Sequence, residues 1–410
     1  MSLNMRELRR FPPQIWIVSV ATLVNRCVGF LGLFAAVFFQ GMRATSGTVA
    51  FALLAVGAAG IVGSIVGGRA AERLGSLPVL VAGCFVNVPL LFCLSFLTDS
   101  PYASIPVAAV SVAISQSFVG PSAALVSSSS YEGPTVTAFA FYRIFLNVGM
   151  VAAPAVAGIV GFSQFPLLFR MSAVGSLLAG VLLVAERKSM SPRASGAEAG
   201  QAAAAAPEPP VEDPVAARHK KVRLWSVIVA FGVTIAVYAQ HQSGIPLSLD
   251  RLDGGDRLYA VLLLINPVVI IVAELPLSTL TAKFNWGKAF AAGSLLTCVG
   301  LAVCGLSSAW AVCIIGFVVF SLGEAVFAPL GNSSVAELAG PAENARYQGY
   351  LSAAQSTGIA LGPAVGAWGV LHDRVVFWIA TAVVGLALAA LLVATGKERV
   401  VARERVEAAV

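Results

Sequence analysis

Long apolar runs, separated by short polar stretches, recur along the whole chain. Each run is long enough to cross roughly 30 Å of hydrocarbon as a helix. The runs are continuously apolar, whereas the strands of a membrane β-barrel alternate apolar and polar residues. The pattern predicts an all-α polytopic membrane protein with twelve transmembrane helices, at 14–39, 47–68, 77–97, 104–127, 136–160, 166–185, 224–246, 257–280, 286–306, 309–331, 346–369 and 375–396.

The two halves of the chain repeat each other. The run GMVAAPAV that begins at Gly149 is echoed 209 positions later by GIALGPAV, which begins at Gly358. Trp16 and Trp225 are separated by the same 209 positions, and Gly83 and Gly293 by 210. A period this long exceeds that of solenoid repeats. It predicts two pseudo-symmetric six-helix bundles, an arrangement that secondary transporters use.

A polar segment at 187–223 interrupts the hydrophobic pattern between the halves. It contains an Ala- and Pro-rich tract at 201–210 and a basic cluster at 218–221. Such a composition cannot bury enough apolar surface to fold. We therefore expect an N-terminal bundle at 1–186, a disordered cytoplasmic linker at 187–223, a C-terminal bundle at 224–397 and a cytoplasmic tail at 398–410.

Composition and charge agree with this picture. The chain is 58% hydrophobic and 11% charged, whereas soluble domains are about 25% charged. Of the 26 Lys and Arg residues, 19 fall on the side of the N-terminus and five on the other side. The positive-inside rule then puts both termini in the cytoplasm, in a multi-pass protein of the cell membrane. This bias explains the excess of basic residues without a nucleic-acid partner. The six cysteines lack metal-ligand spacing, and we expect no metal and no cofactor.

The loop between predicted spans 2 and 3 carries Gly68, Glu72, Arg73 and Gly75. A Gly, an acid four residues later, then Arg and Gly resembles the loop signature of the major facilitator superfamily. The resemblance covers almost the whole chain apart from the linker and tails, and it implies alternating access between two bundles. It also implies that these four residues form a conformational latch, in which the acid meets the positive end of a helix from the other half. The latch would be one-sided, because the matching segment at 282–285 has no acid.

Small residues and prolines in spans 5 and 11 resemble the signature of the drug:proton antiporter group of that family. Small residues four apart allow two helices to approach closely, and proline permits a bend. The residues that form these helix-bend motifs are Gly149, Pro154 and Gly158 in span 5 and Gly358, Gly362, Pro363 and Gly366 in span 11.

Charges deep inside spans are the strongest functional signals, because each is costly in a bilayer unless it is paired or hydrated. Arg26, Arg143, Glu274 and Glu324 lie at such positions. In the family fold, spans 5 and 8 pack across the interface of the halves. We therefore predict a state-dependent ion pair between Arg143 and Glu274, against the alternative that each is satisfied within its own bundle. We also predict that Glu324, or Glu274 when unpaired, carries the coupling proton, against a purely structural role for Glu324.

Polar side chains within the apolar spans predict the lining of a substrate cavity. Arg26 would meet an anionic substrate or a carboxylate of another span, and it stands where many drug antiporters have an acid. His241 is expected to be a hydrated side chain at the outer mouth. The predicted lining residues are Asn25, Arg26, Gln116, Tyr142, Asn147, Tyr238, Gln240, His241, Asn266 and Gln355.

The leading interpretation is a monomeric, proton-gradient-driven exporter of small amphipathic compounds, such as drugs or secondary metabolites. Its partners would be a small-molecule substrate and the lipid bilayer. No P-loop or nucleophile constellation is present in the sequence, so neither an enzyme nor an ATP-driven pump is expected. Two alternatives stay open: proton-coupled uptake of a specific metabolite, and a non-transporting sensor or lipid-handling protein on the same scaffold.

Overall fold

The computed structural model describes residues 11–42, 45–161, 164–187 and 214–396. All regular structure in these residues is helical. The helices are α1 (Pro13–Cys27), α2 (Phe30–Gly41), α3 (Ser46–Leu74), α4 (Ser76–Leu94), α5 (Pro101–Ser117), α6 (Val119–Ser127), α7 (Thr135–Val160), α8 (Phe165–Ala185), α9 (Pro214–Ala239), α10 (Gly244–Leu249), α11 (Gly255–Thr281), α12 (Trp286–Leu306) and α13 (Trp310–Thr395). Most of the predicted linker and the C-terminal tail lie outside the described residues.

Within the described residues, nine helical segments are long and apolar enough to cross a membrane. Many of their large apolar side chains are exposed, among them Leu54, Ile159 and Leu371. Exposure of this kind suits helices that are surrounded by lipid. The predicted all-α polytopic class is confirmed, while the number twelve and the division into two six-helix bundles stay predictions.

The first predicted span is not one continuous helix. It divides into α1 and α2 at Val28 and Gly29, which have non-helical backbone angles. The carbonyl of Val28 accepts hydrogen bonds from the N–H of Phe30 and from the Ser172 hydroxyl of α8. Non-helical backbone is tolerated at membrane depth only where protein or a cavity satisfies it. Both conditions hold here, because Val28 and Gly29 also line a cavity.

The region predicted as spans 10 to 12 forms one run of 86 helical residues, α13, which is interrupted at two residues. Gly340 has a φ of 74°, a left-handed conformation that favours glycine. Asp373 has extended angles, and its carboxylate accepts from the backbone N–H groups of Val375 and Val376, both at 3.0 Å. Asp373 therefore caps the segment that follows it. The connections predicted at 332–345 and 370–374 are correspondingly shorter in the structure.

Helix α9 begins at Pro214, so the last part of the predicted linker is helical. Lys220 lies 3.7 Å from Glu343 of α13. The Arg223 guanidinium lies over the Trp286 ring at 5.6 Å. Lys220 of the basic cluster and the nearby Arg223 thus contact neighbouring helices. The helix begins before its apolar part, and the hydropathy pattern does not reveal this extension.

The buried apolar core divides along the sequence. Two clusters come almost entirely from residues 11–183 and two from residues 224–392. Buried side chains also cross this division: Val136 of α7 packs in a cluster of the second half, Leu275 of α11 packs in a cluster of the first, and Ala345 of α13 packs with Ala71 and Ala124 of the first half. Helices α7 and α11 therefore form a direct contact between the halves.

Candidate functional site

Arg143 of α7 links three helices through an ion cluster, here defined as Arg143, Glu274, Glu324, Asn147 and Asn266. Its Nε atom lies 2.5 Å from Oε1 of Glu274 in α11, and its Nη2 atom lies 3.4 Å from Oε1 of Glu324 in α13. The Glu274 side chain has no exposed surface, and Arg143 is 12% exposed. The structure thus brings together the three charges that the sequence singled out, across the contact between the halves.

Two amides complete the ion cluster. Asn266 donates to Oε2 of Glu324 at 2.8 Å, and Asn147 donates to Oε2 of Glu274 at 3.5 Å. Asn147 and Asn266 were predicted to line the substrate cavity, but the structure places them beside the carboxylates. With two carboxylates and one guanidinium, the cluster carries a net charge of −1 when all three groups are ionised.

A cavity of about 500 Å³ lies next to the ion cluster, between the two halves. Its wall comes mainly from α1 and α3 to α8, and it is completed by residues of α9 and α13. Five of the predicted lining residues reach it: Asn25, Arg26, Gln116, Tyr142 and Tyr238. A cavity of this size, with apolar walls and a few polar groups, fits a small organic molecule.

Besides Asn147 and Asn266, three further predicted lining residues do not reach this cavity. Gln240 and His241 belong to a short 3₁₀ turn that ends α9, and the altered helical pitch directs Gln242 to the cavity instead. His241 packs among the rings of Tyr238, Phe317 and Phe320 and is half-buried, and its hydration at the outer mouth stays a prediction. Gln355 precedes Ser356, which does line the cavity, and successive helical residues point about 100° apart.

The sequence reasoning missed a polar group on the first-half wall of the cavity. Asn87 of α4 accepts from the Ser111 hydroxyl at 2.7 Å and donates to Ser115 at 3.2 Å. Ser176 of α8 donates to Asn25 at 3.2 Å. Asn87 was detectable as the one amide within the apolar run 77–97, but the serines resemble ordinary small residues of membrane helices.

The halves also meet at one end of the molecule, where α3 joins α4 and where α9 begins. We call it the basic end because it carries Arg69, Arg73, Lys220 and Arg346. A tight contact between α3 and α13, here called the small-residue contact, comprises Ser64, Gly68, Gly349 and Ser352. A Cβ atom on Gly68 would lie 2.8 Å from Cα of Gly349, and the reverse distance is also 2.8 Å. The Ser64 and Ser352 hydroxyls are 3.1 Å apart. The contact continues to Gln116, which donates to Ser356 at 3.2 Å beside the cavity.

The predicted latch residue Glu72 lies at the outer edge of this contact. Its carboxylate is 3.3 Å from Nη1 of Arg346, near the start of the α13 segment that follows Gly340. Arg346 also contacts Glu343. Arg346, a residue of the other half, is therefore a cation beside Glu72. Gly75 has a φ of 88° at the turn from α3 to α4, which explains why glycine is needed there.

The helix-bend motifs pack in equivalent ways in the two halves. A Cβ atom on Gly149 would lie 2.6 Å from Cβ of Arg26 in α1. A Cβ atom on Gly358 would lie 2.9 Å from Ile235 in α9, and Ile235 stands 209 positions after Arg26. Both close contacts thus follow the sequence repeat. Gly362 and Gly366 continue the second contact along α13, with α9 and with Ser243, whereas Gly158 faces open space.

The described residues contain no group of three or more His, Cys, Asp or Glu side chains that would hold a metal ion. Within the described part, the ion cluster provides buried ionisable side chains and the cavity provides space for a small molecule. Both lie between the halves, and the halves are held together at the basic end. This arrangement suits the movement of a solute between two sides of a membrane.

Comparison with known proteins gives the same result. A model of the Major Facilitator Superfamily matches residues 15–264 and 253–409. The chain is 20% identical over 380 residues to the uncharacterized MFS-type transporter YqjV of Bacillus subtilis (strain 168), covering 89% of this chain and 87% of that protein.

Solved transporters share the fold. The human organic anion transporter MFSD10 (TETRAN) superimposes with a TM-score of 0.71 at 14% identity, over 93% of this chain and all of that one. The proton:xylose symporter XylE superimposes with a TM-score of 0.62 at 13% identity, over 94% and 96% of the two chains. These relatives are transporters rather than enzymes. Because the family model spans nearly the whole chain, the chain belongs to the Major Facilitator Superfamily.

Proposed function

We propose that this transporter is a proton-coupled antiporter that exports small amphipathic compounds by alternating access. The observation that supports the proposal most directly is the ion cluster, in which Arg143 of the first half neutralises Glu274 and Glu324 of the second. Any movement that separates α7 from α11 and α13 has to break this contact. Conformation and protonation are then linked, as antiport requires.

The charge count explains how a proton would be carried. A carboxylate at membrane depth is costly unless a cation, a proton or water compensates it. Arg143 is shared by two carboxylates, so one proton on Glu324 or Glu274 would bring the cluster to neutrality. When the halves separate, the carboxylates lose Arg143 and bind or release protons from the side that has become accessible.

The cavity supports an amphipathic substrate. Its wall combines apolar side chains such as Leu31, Leu91 and Ile359 with the polar residues Asn25 and Gln116. Such a wall gains most of its binding energy from burial of apolar surface and uses a few polar groups for orientation. We propose that Asn25, Arg26, Gln116, Tyr142 and Tyr238 contact the substrate.

In this proposal the protein lies in the cell membrane, its basic end faces the cytoplasm, and both termini lie on that side. The small-residue contact and the pair of Glu72 with Arg346 then close the cytoplasmic side. The transporter is proposed to work as a monomer, with the proton gradient as its energy source.

The first test uses cells that express the protein and are loaded with ethidium, a cation, or carboxyfluorescein, an anion. Export should lower the cellular content of at least one dye, and a protonophore should abolish the effect. Higher accumulation of a dye in the expressing cells would contradict export and indicate proton-coupled uptake.

The second test measures proton flux in proteoliposomes that enclose a pH-sensitive dye. Adding the exported dye should drive proton movement in the wild type but not in Glu324→Gln. The matched control is Glu132→Gln, the same change at an exposed carboxylate, and it should retain the flux. Proton movement that persists in Glu324→Gln would exclude Glu324 as the carrier. Wild-type protein without any proton-linked flux would contradict the proposed function and favour the non-transporting alternative.

A further inference from the structure

Arg26 is a cation inside the cavity that has no counter-ion among the described residues. Its side chain lines the cavity, and no described carboxylate lies within ion-pair distance of it. Tyr142, whose hydroxyl contacts Thr22 at 3.4 Å, is the titratable side chain near enough to interact with it electrostatically. A carboxylate of another span, one of the two partners that the sequence suggests for Arg26, is therefore not found in the described part of the chain.

Among the described residues, the cavity lining contains no negative charge that would compensate Arg26. Its lining in the described residues includes amides and hydroxyls but no Asp or Glu. Glu274 and Glu324 are held by Arg143 in the ion cluster and do not line the cavity. An arginine is always charged, and an uncompensated charge at membrane depth is costly. The cavity is therefore prepared for an anion.

The backbone around Arg26 supports a binding role. Arg26 is in the last turn of α1, directly before the break at Val28 and Gly29. Broken helices in transporters mark ligand sites, and the helix C-terminus stabilises a cation. Gly149 of α7 lies against Cβ of Arg26, where a side chain would clash. This close packing fixes the position of the arginine.

The sequence repeat indicates that the fold itself does not require an arginine at position 26. Its counterpart in the second half is Ile235, which packs against Gly358 as Arg26 packs against Gly149. The packing role at this position is therefore met by an aliphatic side chain. The guanidinium is not required to hold α1 and α7 together.

We infer that Arg26 binds the anionic group of the substrate, so the transported compounds are amphipathic organic anions, with a carboxylate at Arg26 and an apolar body against the cavity wall. The inference rests on the proposed function in that it names the substrate class of the same cavity. Asn25 and Gln116, which line the cavity with Arg26, are two of the amides that a carboxylate with two acceptor oxygens could also contact.

The test measures binding of three matched probes to purified protein by titration calorimetry: naphthalene-1-acetate, its carboxamide and 1-naphthylmethylamine, which is a cation at neutral pH. A hydrogen bond to a charged group contributes enough for a preference of at least about tenfold for the acid over both other probes. Arg26→Gln should reduce this preference to within about threefold, and Arg26→Lys should retain part of it. The matched control is Arg257→Gln, the same change at an exposed arginine outside the cavity, and it should keep the full preference.

A wild-type protein that binds the three probes equally, prefers the amine, or binds none of them at millimolar concentration would overturn the inference. So would an Arg26→Gln variant that retains the tenfold preference. Because the measurement needs no gradient, it separates the two proposals. Acid-selective binding that depends on Arg26, without proton-linked flux, would refute antiport and leave the anion site in place. Proton-linked export of ethidium without acid selectivity would do the reverse.

Discussion

Replacing Gly349 by alanine tests how the halves are held together at the basic end. The added Cβ atom would lie 2.8 Å from both Cα of Gly68 and the Ser64 carbonyl oxygen. These are backbone atoms of α3, so no side chain can move aside to make room. The helices must separate, and Gly349→Ala should therefore destabilise the closed basic end relative to an open one.

The size of the effect follows from the contacts that are lost. Overpacking a well-packed contact costs about 1–3 kcal/mol. The hydrogen bond between Ser64 and Ser352, already 3.1 Å long, would be broken by such a displacement, at about 0.5–1.5 kcal/mol. A combined cost of about 2 kcal/mol lowers the ratio of closed to open molecules roughly 30-fold.

The assay is the rate at which N-ethylmaleimide modifies a cysteine at Ala124, in an otherwise cysteine-free background. Ala124 is buried between α3 and α13 beside Ala71 and Ala345, so modification requires opening and its rate follows the open population. We expect the rate to rise roughly 30-fold in Gly349→Ala. The matched control is Gly158→Ala, where an added Cβ meets no atom within 4 Å, and the rate should not change. A rise of less than about threefold in a folded Gly349→Ala protein would refute the idea that this contact closes the basic end.

Three further predictions concern the charged groups. Arg143→Ala should lower the thermal unfolding temperature, because it leaves two buried carboxylates without their cation at a cost of about 3–5 kcal/mol of stability. Adding Glu274→Gln should recover part of this loss. Additive effects of the two changes in a double-mutant cycle would disprove the pairing. Arg26→Gln should raise the unfolding temperature in detergent by a few degrees, because it removes an uncompensated buried charge; a clear decrease would mean that Arg26 has a structural partner. Glu72→Gln should speed modification of the cysteine at Ala124 by less than about fivefold, because its pair with Arg346 is partly exposed and such pairs contribute about 1 kcal/mol or less; an effect as large as that of Gly349→Ala would contradict this ranking.

The fold class and the ion cluster were predictable because both follow from the cost of transfer into hydrocarbon. Runs of about 20 apolar residues must form helices that satisfy their own backbone. Charges inside such runs are costly unless they are paired or hydrated. Arg143, Glu274 and Glu324 were identified for that reason, although hydropathy could not show that Asn147 and Asn266 would join them.

The breaks in the helices were not predictable, because their causes lie elsewhere in the sequence. The residues at the break in the first span, Val28 and Gly29, are ordinary for a membrane helix. One partner of the Val28 carbonyl is Ser172, more than 140 positions away. The same argument applies to Gln240 and His241, whose directions depend on a 3₁₀ turn at the end of α9 rather than on the position of polar residues along the run.

The small-residue contact could have been found only in part. Gly60, Ser64 and Gly68 are spaced four apart on α3, a pattern that favours close helix packing. However, small residues are common throughout these spans, and the sequence alone does not show which two helices they join.

The repeat relates the ion pair to the small-residue contact. Ser352 stands 209 positions after Arg143, and Glu274 stands 210 positions after Ser64, so the two contacts between the halves occupy equivalent places. One is a neutral contact of 3.1 Å between hydroxyls, and the other is an ion pair of 2.5 Å. The neutral contact contains no ionised side chain, whereas the charged one contains a carboxylate that can be protonated. The duplicated scaffold thus carries a titratable contact at only one of two equivalent places, and this is the asymmetry that the proposed proton coupling uses.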